Sequence, residues 1–157
     1  MQYLSEKLIK FGNDDLVNHS SVGGIVLDET GKNLCLLFHK KMNRWTIPVG
    51  HIDKGYTPDE TIDKELKEEI GITVENKRRI VFKRIKVQFN DKTIQIRFHL
   101  YMIKKYQGTP KNKEPWAHKQ MKFFPITELK NMRREDLSEF TWLWLDSINI
   151  NESEIFS

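Results

Sequence analysis

Three glutamates, Glu65, Glu68 and Glu69, are the residues of this chain best suited to do chemistry. If their segment is helical, spacings of i, i+3 and i+4 place the three carboxylates on one neighbouring face. Convergent carboxylates make an all-oxygen site that suits Mg²⁺ or Mn²⁺. As a plain helix surface they are badly placed. Glu65 and Glu69 repel one turn apart. Glu68 and Glu69 also fall in the last turn, where the helix dipole disfavours negative charge. The bland alternative is a solvated acidic face. A bound divalent cation would instead remove the repulsion.

The flanking residues predict the helix that must position them. Thr57 suits the cap, Pro58 the first helical position, and Glu60 completes a capping box. Gly71 fits the left-handed residue just past the end. Ile62, Leu66 and Ile70 repeat every fourth residue and supply the buried seam.

The stretch from Gly50 to Ile72 resembles the Nudix hydrolase box: a Gly, five residues, a Glu, seven residues, then Arg-Glu-apolar-any-Glu-Glu-any-Gly-apolar. Gly50, Glu65, Leu66, Glu68, Glu69, Gly71 and Ile72 fall in register. Tyr56 stands where the box has its first Glu, and Lys64 where it has Arg. The usual Pro-Gly-Gly lead-in reads Pro48-Val49-Gly50. The resemblance implies metal-dependent hydrolysis of a nucleoside diphosphate linked to another group. It carries metal-ligand roles onto Glu65, Glu68 and Glu69, with the Gly50 carbonyl as a further ligand. The general base varies across the family, so Glu68 and a distant loop glutamate both stand as candidates. The distant one is Glu114, in Asn112-Lys113-Glu114-Pro115-Trp116, an interval where some members place such a residue. An exposed loop carboxylate is its alternative reading. Glu65, Glu68 and Glu114 are thus the catalytic candidates. Lys64 keeps the positive charge of the box Arg but loses its bidentate geometry. The two departures leave a catalytically silent, nucleotide-binding descendant as an alternative.

Substrate contacts are less sharply marked. Arg44 and Lys40 lead the cations suited to phosphates, ahead of Lys41, Lys83, Arg84 and Lys86, many of which read as solvated surface. Trp116 and Phe89 are the candidates for stacking a base; Trp45 reads as core. His39 and His51 lack metal spacing and read as structural or as supports behind the site, which argues against zinc. Cys35 lies in an apolar run and reads as core. There is no P-loop, serine elbow or Cys-x-x-Cys.

At 157 residues, 38% hydrophobic and 31% charged, the chain fits one soluble domain. No apolar run is long enough for a membrane span. A single cysteine suits a reducing cytoplasm. The net charge of +4 favours anionic partners. A small nucleotide is the leading substrate. The 5′ polyphosphate end of RNA is the alternative, although no basic stripe with interleaved aromatics is evident. A monomer or homodimer is expected.

In chain order, residues 1–20 carry a helical pattern through Leu4, Leu8 and Phe11 as an N-terminal extension. Strands are expected over 21–27 and 33–38, joined by a turn at Asp28-Glu29-Thr30-Gly31. Gly23-Gly24 signals close backbone approach or a bulge. Further strands are expected over 79–87, 93–103 and 120–124, with a turn at Asn90-Asp91 and a polar loop over 104–118. A helical turn at 125–129 and a last helix over 135–147 follow, with Trp142 off the apolar stripe and half exposed. This order gives a mixed α/β domain over 21–150 with a frayed tail over 151–157. By resemblance it is an α/β/α sandwich, a mixed sheet between helices.

Overall fold

The structure is a computed structural model that describes residues 19–89 and 92–148, with the side chains of residues 88, 89 and 92 left aside. The expected N-terminal helix, the Asn90-Asp91 turn, the Phe89 side chain and the tail lie outside the described residues.

Among the described residues, seven strands form two sheets. The first runs β4 (Val49–His51), β1 (Ser20–Ile25), β6 (Lys92–Gln107), β5 (Thr73–Phe89). It is mixed, because β1 and β6 are parallel while β1–β4 and β5–β6 are antiparallel. The second is antiparallel, in the order β3 (Arg44–Thr46), β2 (Asn33–His39), β7 (His118–Pro125). Helix α1 spans Pro58–Ile70, the short α2 Ile126–Leu129, and α3 Glu139–Ser147. The expected mixed sheet between helices is what forms. One apolar cluster joins Ile62, Leu66 and Ile70 of α1 to Val22, Tyr101 and Ile103 of the first sheet. The other joins Phe140, Trp144 and Leu145 of α3 to Ile96, Phe98 and Leu100 on the same sheet's opposite face. Among the described residues no helix is long and apolar enough to cross a membrane.

Helix α1 follows its local signals. The Thr57 hydroxyl accepts from Glu60 N–H, the Glu60 carboxylate accepts from Thr57 N–H, and Gly71 takes φ 75° at the exit. Gly24 lets the helix settle on β1: a side chain there would press on Ile62 and Leu66, both at 3.3 Å.

Four expectations need correction. Strands β5 and β6 run well beyond 79–87 and 93–103, so the polar loop is shorter than drawn. The Lys- and Arg-rich ends of these strands hide the alternation on which the pattern depends. Helix α3 starts at Glu139 rather than residue 135, because Ser138 caps it by accepting from Thr141 N–H. Leu137 bridges to Trp45 instead. Trp142 is only 5% exposed. Its Nε1–H donates to the Arg134 carbonyl at 2.9 Å, and the Arg134 guanidinium covers the ring. Trp45 is partly buried, with edge contacts to Phe38 and Phe124, so it sits at the margin of the core.

Candidate active site

The acidic residues of α1 separate by burial. Glu65 is 4% exposed and Glu69 fully buried, while Glu68 faces solvent. A solvated face is therefore the wrong description for two of the three. Glu65 lies against the backbone of Gly50: a Cβ added there would come within 2.4 Å of its side chain. Only glycine gives the carboxylate this access to the β4 backbone.

The loop after β6 completes the acidic group. Lys111 N–H donates to the Ile70 carbonyl at 3.0 Å, and Lys113 N–H to the Glu69 carbonyl at 2.9 Å. These bonds satisfy helix-end carbonyls that would otherwise lack partners, and they pin the loop to the end of α1. The Asn112 side chain accepts from Glu114 N–H and donates to the His118 carbonyl, which shapes the turn. Glu114 is thereby brought into electrostatic reach of Glu68 and Glu69. Burial pushes the Glu69 carboxyl well above the usual carboxylate range, and the charges of Glu65 and Glu114 add to it. Burial likewise raises Glu114, with Glu68 adding. Two carboxyls raised in this way, beside Glu65 and Glu68, make a site suited to a cation.

That chemistry fits a hard divalent ion. The donors are all oxygen, the ligand type that such ions take. Among the described residues, no group of three His, Cys, Asp or Glu side chains is gathered at coordinating distance, so the carboxylates are neighbours rather than a closed coordination shell.

The remaining candidates divide. Trp116 is 62% exposed, two residues past Glu114 on the same loop. Lys40 is exposed. Arg44 is drawn toward α3, with Nη1 3.3 Å from the Glu139 carboxylate and 3.4 Å from the Leu137 carbonyl. Cys35 is buried, and burial pushes its thiol up to about 12, with Glu69 adding. That matches its reading as core. His51 hydrogen-bonds His19, and its other ring nitrogen lies 3.8 Å from Asp53.

Two features escaped the sequence. His118 is fully buried beside His39, their ring centroids 5.7 Å apart, and burial pushes it down to about 3 with the His39 and Lys40 charges adding. The pairing arises across β2 and β7, distant in sequence, and no local signal announces it. The second is a contact between the two positions that depart from the box: Lys64 Nζ lies 5.0 Å from the centre of the Tyr56 ring.

A mixed sheet between helices, with an acidic helix seated on a glycine of the preceding strand, defines a Nudix-type domain. The chain belongs to the NUDIX domain family, whose model matches residues 17–143. An 8-oxo-dGTP diphosphatase of Escherichia coli is 32% identical over 72 residues, 46% of this chain and 53% of that protein. The chain spans about half the length of the curated relatives it matches. Among solved structures, the MutT NUDIX hydrolase from Burkholderia pseudomallei superposes with a TM-score of 0.71 at 17% identity, covering 83% of this chain and 98% of that one. The NUDIX domain of Shewanella oneidensis NrtR, complexed with ADP ribose, gives 0.65 at 10% identity, covering 90% and 94%. These two likenesses concern the fold.

Proposed function

We propose that the protein hydrolyses a pyrophosphate bond in a nucleoside triphosphate or another nucleoside diphosphate derivative, using Mg²⁺ or Mn²⁺. The observation that carries this reading is the approach of Glu114, on the loop pinned to α1, to the carboxylates of Glu68 and Glu69. Glu65, Glu68 and Glu69, with the Gly50 carbonyl, would hold the cation. The chemistry such a cation supplies is charge neutralisation on the phosphate oxygens and activation of water. Glu68 and Glu114 are the candidates to accept the proton of the attacking water. The upward shift of Glu114 suits it to that task nearer neutral pH. Lys40 and Arg44 supply positive charge for the phosphates. Trp116 offers an exposed ring beside Glu114 for the base.

The test is a nucleotide panel headed by 8-oxo-dGTP, which the matched relatives suggest, with release of phosphate and pyrophosphate read in Mg²⁺ and in Mn²⁺. Turnover should vanish in excess chelator, and undiminished turnover there would remove the metal from the account. Glu68→Gln should lower turnover by about a hundredfold or more, as expected for a lost ligand or base. Nucleotide binding without turnover across the panel would instead identify a sensing domain.

A further inference from the structure

The β5–β6 ribbon carries a surface that the proposed chemistry does not use. Its register pairs Phe82 with His99 and Arg84 with Arg97. Directly opposed residues of an antiparallel pair share a face, and Lys86 lies on it two residues beyond Arg84. The other face is core, since Ile94, Ile96, Phe98 and Leu100 are all buried.

On the open face Phe82 leaves 56% of its surface in solvent. Its ring centre lies 4.5 Å from that of His99, and Arg79 Nη1 lies 3.2 Å from His99 Nδ1. Two features run against a plain solvated surface. A large aromatic ring is exposed amid cations, and Arg84 is placed directly opposite Arg97, a like-charge pairing that disfavours the sheet. Among the described residues, no acidic side chain lies within ion-pair distance of Arg79, Arg84 or Lys86. Asp59, at the first turn of α1, bounds the surface and is hydrogen-bonded by the Tyr101 hydroxyl.

An open ring beside unneutralised cations matches a strand of stacked bases and phosphates. We propose that this ribbon face binds single-stranded nucleic acid, with a base on Phe82 and backbone phosphates on Arg79, Arg84 and Lys86. A single strand is specified because a phenyl ring can stack only on a base released from its pair. The inference stands apart from the hydrolase reading, and its test excludes turnover.

The experiment is fluorescence anisotropy of full-length protein with labelled oligouridylate and oligothymidylate bearing no 5′ phosphate, in chelator, across a salt series. Binding of either strand is expected, with affinity falling linearly on a log–log plot against salt. Arg84→Glu should weaken binding about tenfold and flatten that slope. Phe82→Ala should weaken it about fivefold or more and leave the slope unchanged, and Phe82→Trp should restore it. Lys122→Glu, on β7 of the other sheet, makes the same charge change and should alter affinity less than about twofold. Melting curves accompany each variant, and Arg84→Gln replaces Arg84→Glu if the latter does not fold. The proposal is overturned by absent binding at low salt, by an equal loss from Lys122→Glu, or by indifference to Phe82→Ala. Equal affinity for duplex, or for polyglutamate, would overturn it as well.

Discussion

At positions 56 and 64 the box pattern has an acid and a base, and this chain has a ring and an ammonium. The replacement keeps an attraction, because Lys64 Nζ sits 5.0 Å from the centre of the Tyr56 ring. The two departures are thus better read together than as two separate losses. Tyr56→Glu would give Lys64 an anionic partner at the same place, so turnover should be kept or raised. Its abolition in a variant that melts normally would give Tyr56 a role in the reaction itself. Trp116 is testable at the same scale. A base stacked on it gains equally in ground and transition states, so Trp116→Ala should raise KM more than it lowers kcat. An unchanged KM on the best substrate of the panel would return Trp116 to ordinary loop surface.

At the scale of elements, α1 and the loop pinned to it define the site, and α1 carries a charge that the metal-free fold disfavours. Glu69 opposes the helix dipole and repels Glu65 one turn earlier, effects of roughly 0.3–1 and 0.2–0.5 kcal/mol at exposed positions. Burial of the carboxylate adds to both. Glu69→Gln removes that carboxylate from the site, and its metal response tests the assignment. Added Mn²⁺ should raise the wild-type melting temperature by mass action and the variant's much less. Equal gains in the two proteins would remove Glu69 from the metal site. The helix was legible in the sequence because Thr57, Pro58, Glu60 and Gly71 act on their own neighbours. The burial of Glu69 was not, since it depends on Cys35 of β2 and the Glu114 loop, both distant in sequence, coming to the helix end. The docking of that loop was hidden too: its bonds come from the backbone N–H groups of Lys111 and Lys113, which any residue but proline supplies. The later start of α3 could have been read from Ser138, a good cap residue masked by the helical spacing of Leu137.

Across the whole molecule, the second sheet joins β2 to β7 and in doing so buries His39 and His118 against each other. This sets a pH dependence for the fold. Burial pushes His118 down to about 3, whereas the unfolded residue titrates near about 6.5. Between those values the unfolded chain binds the proton and the folded chain excludes it. Stability from this group is thus fully present above about pH 6.5 and is lost as pH falls toward 3, at up to about 1.4 kcal/mol per pH unit. Glu69 has the opposite sign. Its raised carboxyl takes up a proton in the fold first, so its contribution weakens as pH rises through and above the ordinary carboxylate range. A single wild-type curve mixes the two. The difference between wild type and His118→Gln separates them, because Glu69 is common to both. Urea midpoints between pH 4 and 7, in chelator, should fall more steeply toward acid for wild type than for the variant. The absolute stability of His118→Gln is immaterial, since the slope carries the result. Parallel curves would mean that His118 is protonated in the fold as readily as in the unfolded chain. The seam between β2 and β7 would then be open to water, contrary to the buried histidine pair that the sheet encloses.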